Sequence, residues 1–354
     1  MKFCFYTLLI GISSLISCVG TTDSQYPRYT VFPTKKRLTA QEIPIDTILF
    51  RYPFRITIQD SIAIIMDLHN PDHFFHAFRY PDWKYLTSFG KRGEAPDEML
   101  LAVAFQMHSP DSIWALDANK MQLTRWSISP TECTIKREEA IALDKSLIRT
   151  LDFRLTTDGF YVPNYLGECR YQEVGFDGKP IKNIGQIPTE TYTGYDIKPA
   201  LAQGWRSFMD YNPENGILVF VTQLGEAIEI YNTKENTHFV LYGPNGEPKF
   251  KKDSQGGSMP TKEGIMGFCD VVVTNHYIYA PFRGISFREI KEAYKQGKEA
   301  ENGAYSIYVF DLKGNPVREY TLDQAINGIY VNETTGIITA TCVKSDEPIV
   351  EIKI

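Results

Sequence analysis

The chain has 354 residues, a formal net charge of −6 and 43% hydrophobic residues. This composition is typical of a folded globular protein, and it excludes a disordered chain, which would combine fewer apolar residues with more net charge. Only one apolar stretch approaches the length of a spanning helix, which excludes a polytopic membrane protein. The mildly acidic balance predicts no nucleic-acid partner. Aromatic residues make up 13% of the chain, and because they favour strands they point to a β-rich fold.

The N-terminal residues predict export from the cytoplasm. A basic start is followed by an apolar run, residues 3–17, which is shorter than the about 20 residues of a spanning helix and suits a signal peptide. Leu15-Ile16-Ser17-Cys18 resembles the lipobox of bacterial lipoproteins. The resemblance implies a signal peptide over residues 1–17, a lipid on the Cys18 thiol and a tether over residues 18–35. A plain secretory signal with an incidental cysteine is the alternative.

The residues after Cys18 bear on which membrane would hold the lipid. Val19 is not the Asp that often retains lipoproteins at an inner membrane, and residues 19–24 lack the acidic run that resembles a surface-export signal in Bacteroidetes-type bacteria. The preferred location is therefore the cell envelope, lipid-anchored at the outer membrane and facing the periplasm. The membrane is the partner that this anchor implies.

Four cysteines remain in the predicted mature chain besides Cys18. They are widely spaced and form no metal-binding pattern: Cys133, Cys169, Cys269 and Cys342. An oxidising compartment permits disulfides, but this spacing predicts no particular pair. Separate buried thiols are the favoured interpretation.

An internal repeat predicts the fold. A turn followed by an apolar strand recurs six times at intervals of 47–60 residues, starting at Ser61, Ser112, Gly159, Gly216, His276 and Gly336. Each copy has one strand before it and one after it, and five copies have a more polar fourth strand. Four antiparallel strands repeated six times predict an all-β fold, a six-bladed β-propeller with four-stranded blades. Seven blades or a two-sheet sandwich are the alternatives.

The sixth copy ends at Ile354 without a fourth strand. The segment Lys36 to Ile45 has the polar pattern of an outer strand, so we expect it to complete the last blade and close the ring. Closure removes the exposed edges that an open stack of sheets would present. The predicted propeller domain therefore covers residues 36–354.

The fourth strand of the first repeat copy leads into a glycine-rich segment, Phe89-Gly90-Lys91-Arg92-Gly93-Glu94-Ala95-Pro96-Asp97-Glu98-Met99. This segment resembles the glycine-rich blade junction of TolB-like and NHL-like propellers, and in particular of the Bacteroidales lipoproteins called BF3164-like. Ala95 and Asp97 depart from that pattern, which prefers glycine at both positions. The resemblance implies a fold and an envelope location but no activity. Gly90 and Gly93 would supply the positive φ of a tight strand exit.

Propeller topology predicts that one face carries all the long connections. If the strands of a blade run A to D from the channel outward, the B–C and D–A connections share a face. The long segments all belong to these two classes: residues 89–102, 185–204, 243–267 and 281–304. Long ordered loops on a rigid scaffold often bind ligands, so this face is the predicted binding face. Residues 285–301 are a predicted helix within it.

Polar residues at the ends of A and B strands are expected to surround the channel mouth. The candidate ligand-binding residues are Arg55, Asp67, His69, Asp152, Arg154, Trp205, Arg206, Asp270 and Arg283. Several arginines and aspartates beside aromatic residues suit an anionic or polar ligand. The alternative is that the Arg–Asp pairs crosslink the blades and line a wet channel.

His69 belongs to a histidine-rich segment with Asp72, His73 and His76. Metal ligation by these side chains is one hypothesis, and a surface loop with exposed imidazoles is the favoured one. No metal and no cofactor are predicted.

The sequence contains none of the common hydrolase, zinc-protease, P-loop or dinucleotide motifs. The favoured function is a lipid-anchored module that binds a small ligand or an envelope protein at the channel mouth. The alternative is a propeller enzyme, a hydrolase or lyase acting on a sugar or lactone. A structural scaffold in an envelope complex is a third hypothesis. No catalytic residue is assigned.

Overall fold

The computed structural model describes residues 25–354, apart from residues 46, 130, 133, 193, 195–196, 301 and 343–346. The predicted signal peptide and Cys18 lie outside the described residues. Within the described part of the chain, no helix is long and apolar enough to cross a membrane. Cys169, Cys269 and Cys342 are free and buried, as predicted, whereas Cys133 is not described.

Two N-terminal strands precede the first blade, namely β1 (Thr34–Leu38) and β2 (Ala40–Ile43). Blade one consists of β3 (Pro53–Gln59), β4 (Ile62–Asp67), β5 (His73–Arg79) and β6 (Lys84–Lys91). Blade two consists of β7 (Ala102–Ser109), β8 (Ser112–Asp117), β9 (Gln122–Ser129) and β10 (Thr134–Ala142). A 3-10 helix (Lys145–Leu147) leads to blade three, with β11 (Arg154–Leu155), β12 (Gly159–Pro163), β13 (Tyr171–Gly175) and β14 (Pro180–Ile184).

Helix α1 (Lys198–Gly204) precedes blade four, which has β15 (Ser207–Asn212), β16 (Ile217–Thr222), β17 (Ala227–Asn232) and β18 (Thr237–Tyr242). A small hairpin follows, β19 (Phe250–Lys252) and β20 (Ser258–Pro260). Blade five contains β21 (Val272–Val273), β22 (Tyr277–Phe282), α2 (Phe287–Lys295), β23 (Ala304–Asp311) and β24 (Pro316–Ile326). Blade six contains β25 (Ile329–Asn332), β26 (Ile337–Thr341) and β27 (Ile349–Lys353).

The protein is a six-bladed β-propeller, as the repeat predicts. The four strands of each blade pair antiparallel from the channel outward. The second strand of a blade is buried on both faces because each blade packs between two others, and every residue of β4, β8 and β16 is buried. Aromatic rings pack between neighbouring blades, as in the edge-to-face contact of Tyr171 in blade three with Tyr231 in blade four.

The N-terminus closes the ring, as predicted, because β2 pairs antiparallel with β27 as the outer strand of blade six. The prediction is wrong for residues 36–38 of the segment Lys36 to Ile45, because they belong to β1, which adds a fifth, parallel strand to blade five beside β24. Its residues are mostly exposed and polar, so they carry no apolar pattern.

The packed part of the chain begins earlier than the predicted domain start at residue 36. Tyr29 and Phe32 are buried against the rings of Tyr308 and Phe310. The Tyr29 hydroxyl donates to Glu226 Oε1 at 2.6 Å. Part of the predicted tether is therefore bound to the outside of blades four and five.

The glycine-rich segment after β6 forms a closed loop. Gly90 has φ 64°, and a side chain there would meet the Phe75 ring at 2.7 Å. Gly93 has φ 150°, and the Glu98 carboxylate occupies the space of its missing Cβ. Glu98 pairs with Lys91 at 2.7 Å and accepts from the Ala95 N–H at 3.1 Å. The positive φ expected at both glycines is thus observed.

The B–C and D–A connections lie together on one face of the propeller, here called the long-loop face. It carries α1, α2 and the β19–β20 hairpin, as the lengths of the predicted segments indicate. The predicted helix over residues 285–301 is the shorter α2. Ser286 and Glu289 form a reciprocal capping box at its start, and none of its residues is fully buried.

Candidate functional site

Five charged side chains fill the channel below the long-loop face, and we call them the channel cluster: Arg55, Asp152, Arg154, Asp210 and Asp270. They lie on or just before the inner strands of blades one, three, four and five. Arg55 donates to both oxygens of Asp152, at 3.2 and 2.8 Å. Arg154 donates to Asp152 Oδ1 and Asp210 Oδ1, both at 2.8 Å. Asp270 stands further off, with 3.9 Å between its Oδ1 and Arg55 Nε.

The channel cluster also joins consecutive blades. Asp210 accepts the Val273 N–H at 2.7 Å, and Asp270 accepts the Ile329 N–H at 2.9 Å. In the same way, Gln106 accepts the Leu155 N–H at 2.7 Å. Each acceptor lies in one blade, and its donor lies in the inner strand of the next. The channel cluster therefore crosslinks the blades, which is the alternative that the sequence analysis gave for its arginines and aspartates.

Two carboxyls of the channel cluster have opposite pKa shifts. Burial would raise the pKa of Asp152, but Arg55 and Arg154 outweigh that effect and hold the pKa below its usual value. Burial raises the pKa of Asp270 to about 6, because Arg55 is too distant to compensate. Three acids share two arginines, and Asp270 is the one with the weakest pairing.

Replacing Asp270 with asparagine tests this assignment. The native state holds the Asp270 proton more tightly than the unfolded chain does, so this group's contribution to stability falls as the pH rises from about 4 through about 6. The fall amounts to about 3 kcal/mol of unfolding free energy by pH 7. In Asp270→Asn that decline should be absent, as measured by urea unfolding at pH 4.5, 5.5 and 7. If the unfolding free energies of the two proteins change with pH in parallel, the assignment is wrong. Other titrating groups, such as His76, affect both proteins equally, so their effect cancels in the difference.

A cavity of about 360 Å³ opens above the channel cluster on the long-loop face. Its floor is the Arg55–Asp152 pair, and its walls are largely apolar. Aromatic walls come from three blades, through Phe54, Phe208 and Phe268. Arg206 and Arg283 also line it. A small, mostly apolar cavity with a few convergent polar groups is the usual form of a ligand site.

Neither Arg206 nor Arg283 forms an ion pair among the residues that the structure describes. Arg206 is exposed, and its guanidinium lies 6.0 Å from the Tyr165 ring centroid. Arg283 donates to Asn327 Oδ1 at 3.2 Å, and its buried Nε has no hydrogen-bond partner in the described structure. The neighbouring Cys269 thiol is neutral, because burial raises its pKa to about 12. The cavity thus has two positive charges without local counter-charges.

The predicted site residues separate into groups. Four of them line the cavity: Arg55, Asp152, Arg206 and Arg283. Arg154 and Asp270 lie deeper, in a second small space within the channel. His69 is exposed on the long-loop face, with its ring centroid 4.9 Å from that of Tyr52, and it does not line the cavity.

The prediction that Trp205 contacts a ligand is wrong. Its side chain is fully buried, in a cluster with Tyr242 and Phe250 beneath the long connections. Helix α1 ends at the residue before it, so Trp205 packs into the protein while Arg206 is exposed. A large aromatic side chain suits packing as well as ligand contact, so residue type alone does not distinguish the two roles.

The prediction for Asp67 is also wrong, because its carboxylate is buried and fully used by the backbone. It accepts from the N–H groups of Arg51, Tyr52, His69 and Asn70. Asp117 does the same at the corresponding position of blade two, for Leu100, Leu101, Asn119 and Lys120. Asp67 therefore holds two connections together and is unavailable to a ligand.

The histidine-rich segment does not form one exposed loop. His76 lies in β5 and is buried, with its Nδ1 2.8 Å from Ser88 Oγ, so the surface interpretation is wrong for this residue. Burial lowers the pKa of His76 to about 4. No group of three or more His, Cys, Asp or Glu residues in the described ranges has a geometry that could hold a metal ion.

The sequence did not identify the apolar lining of the cavity. Phe54, Phe208 and Phe268 stand at or near the start of inner strands, beside the polar residues that were chosen. Gln223 and Met266 come from connections whose paths cannot be derived from residue type. Only the phenylalanines could have been predicted from the sequence, because every inner strand begins at the channel mouth and residues at its start therefore lie near the cavity.

Comparison with known proteins agrees with this architecture. Residues 31–334 match the model of the TolB-like 6-blade propeller-like family. A search of curated protein sequences found no match. The chain resembles the crystal structure of a Bacteroides fragilis NCTC 9343 protein classed as exported, with a TM-score of 0.57, 11% identity and coverage of 92% of this chain and 99% of the other. It also resembles a DUF4221 family member from Bacteroides vulgatus ATCC 8482, with a TM-score of 0.51, 8% identity and coverage of 90% and 95%. The protein described here belongs to the TolB-like six-bladed propeller family.

Proposed function

We propose that this protein is a lipid-anchored binding module of the bacterial cell envelope, with its ligand site in the cavity of the long-loop face. The ligand is a small amphipathic anion, with a carboxylate or phosphate group and an apolar body. The observation that carries this proposal is the pairing of two arginines that lack counter-charges with apolar walls in one cavity.

Each part of the cavity has a matching part in such a ligand. Arg206 and Arg283 would receive the anionic group, because guanidinium groups bind carboxylates and phosphates through charge-assisted hydrogen bonds. The three phenylalanines would receive the apolar body. Arg55 contributes little free charge, because Asp152 neutralises it at 2.8 Å. The floor therefore repels neither part of the ligand.

The location is part of the same proposal. The lipobox-like Leu15-Ile16-Ser17-Cys18 supports a lipid anchor at Cys18, and Val19 supports the outer membrane, facing the periplasm. The similarity to a Bacteroides protein classed as exported supports an envelope location. We also propose that the chain belongs with the BF3164-like lipoproteins, on the strength of its glycine-rich blade junction.

A thermal-shift experiment with three probes of equal chain length tests the proposal. Octanoate should raise the melting temperature, whereas octanol and octylammonium should raise it far less. In Arg206→Gln and Arg283→Gln, the affinity for octanoate should fall about tenfold or more for each lost charged hydrogen bond. Arg288→Gln is the matched control, because Arg288 is an exposed arginine of the same face outside the cavity. Equal effects of the three probes, or an unchanged affinity in both cavity variants, would contradict the proposal.

A further inference from the structure

Exposed apolar side chains gather on the long-loop face. Among the described residues, six large exposed hydrophobic side chains lie in its connections: Leu49, Leu100, Leu101, Ile148, Met259 and Tyr294. These connections lie between blades six and one, one and two, two and three, and four and five, and within blade five, so the six side chains are spread around the ring. Leu101 also lines the cavity. On the opposite face, the exposed Phe176 lies against the rings of Trp114 and Phe160. Exposed apolar side chains concentrated on one face of a protein suit insertion into a membrane interface.

The described chain enters the fold on the rim of this face. The Tyr26 N–H donates to Glu190 Oε1 at 3.2 Å, and Arg28 pairs with Glu190 at 3.5 Å. Glu190 belongs to the long connection between blades three and four. At the loop-face end of β18, the Tyr242 N–H donates to the Pro27 carbonyl, and the Tyr242 carbonyl accepts from the Tyr29 N–H. Whatever precedes Tyr26 therefore leaves from beside the long loops.

The length of chain before this point limits the distance to an anchor. At no more than about 3.6 Å per residue, the segment from Cys18 to Tyr26 spans at most about 29 Å. A lipid on Cys18 would therefore keep the rim of the long-loop face close to the bilayer. The contacts of Tyr26 and Arg28 with Glu190 hold the end of this segment on that rim.

We propose that the long-loop face lies against the phospholipid surface that carries the protein's own anchor, with the six apolar side chains inserted among the headgroups. The inference rests on the anchor of the proposed function and goes beyond it. Interfacial insertion of exposed apolar side chains is a known mode of membrane binding. The cavity mouth then opens towards the bilayer, so an amphipathic ligand can enter directly from the membrane.

Charge does not determine this docking. Lys145 and Arg149 flank Ile148, but Asp97 and Glu98 precede Leu100, so both signs occur beside the inserting side chains. A surface without strong positive charge gains little from anionic lipid. The docked orientation should therefore persist in vesicles of phosphatidylethanolamine and phosphatidylcholine, without phosphatidylglycerol.

Fluorescence quenching by membrane lipids tests the orientation. The processed, full mature protein is reconstituted in these vesicles with an environment-sensitive fluorophore on Leu100→Cys or Met259→Cys. Phe239→Cys is the matched control, since Phe239 is similarly exposed on the outer strand of blade four. Lipids that carry a nitroxide on the acyl chain should quench the first two labels at least about threefold more strongly than the control. Equal quenching at the three positions would overturn the proposal.

A triple variant separates insertion from simple proximity. Leu49→Ser/Ile148→Ser/Tyr294→Ser should reduce quenching of the Leu100→Cys label to the control level. Val31→Ser/Ile181→Ser/Phe239→Ser, which changes exposed apolar residues outside the long-loop connections, should leave it unchanged. If both triple variants behave alike, the side chains do not insert. A soluble dimer that dissociates with the first triple variant would assign the face to a second copy of the chain and would overturn the membrane proposal.

The anchor is measured separately, by the mass of the N-terminal peptide. If Cys18 carries no lipid, the proposed anchor is wrong, and docking is judged by flotation of the same protein with vesicles. Flotation that the first triple variant abolishes and the second retains would support docking alone. Absence of flotation would overturn it.

Discussion

Replacing Asp152 with alanine is expected to lower the free energy of unfolding by about 3–5 kcal/mol. The carboxylate pairs with two buried guanidinium groups, those of Arg55 and Arg154, at 2.8 Å each. Without it, both positive charges stay buried beneath the cavity, and Asp210 and the distant Asp270 compensate only in part. Urea unfolding at pH 7 measures the loss.

The control for this variant is an ion pair of the same length on the surface. Glu139 accepts from Arg125 at 2.7 Å, but both side chains are well exposed. Glu139→Ala should cost less than about 1 kcal/mol, because water screens an exposed pair. Equal losses in the two variants would mean that the channel cluster does not hold the blades together.

A chain that begins at residue 44 is expected to lose more than about 5 kcal/mol of unfolding free energy, at least a third of the about 5–15 kcal/mol of a typical domain. It lacks β2, so the edge of β27 is exposed and the ring is open. It also lacks Tyr29 and Phe32, whose removal uncovers the rings of Tyr308 and Phe310 and leaves Glu226 without the Tyr29 hydroxyl. Circular dichroism during urea unfolding measures the effect.

A chain that begins at Gln25 is the matched control, because it keeps every described N-terminal contact. Its unfolding midpoint should equal that of the mature protein. If the chain that begins at residue 44 also unfolds at that midpoint, the N-terminal strands do not stabilise the propeller, and the prediction is wrong.

The blades could be predicted because their strands carry a strong, repeated apolar pattern. The second strands β4, β16 and β22 are predicted correctly because neighbouring blades bury both of their faces, which makes their sequences mostly apolar. The fourth strand of blade six followed from the missing strand at the C-terminus. In contrast, β1 is polar and pairs in parallel with β24, and nothing in its residues distinguishes it from a tether.

The site was predicted only in part, because residue type does not determine what a side chain contacts. Arg206 and Arg283 do line the cavity, but Asp67 serves backbone N–H groups that no sequence pattern reveals. Trp205 and Arg206 are neighbours with opposite exposure, which depends on where α1 ends. Acceptors such as Asp210 act between blades, so their partners appear only once the ring is closed.

The central claim is that the cavity of the long-loop face holds an amphipathic anion through Arg206 and Arg283. A crystal structure of the protein with 8-bromooctanoate tests it directly, since the anomalous signal of bromine locates the apolar end. The account predicts bromine among Phe54, Phe208 and Phe268, with the carboxylate within hydrogen-bond distance of Arg206 or Arg283. A cavity without the ligand at saturating concentration, or a carboxylate directed away from both arginines, would contradict it.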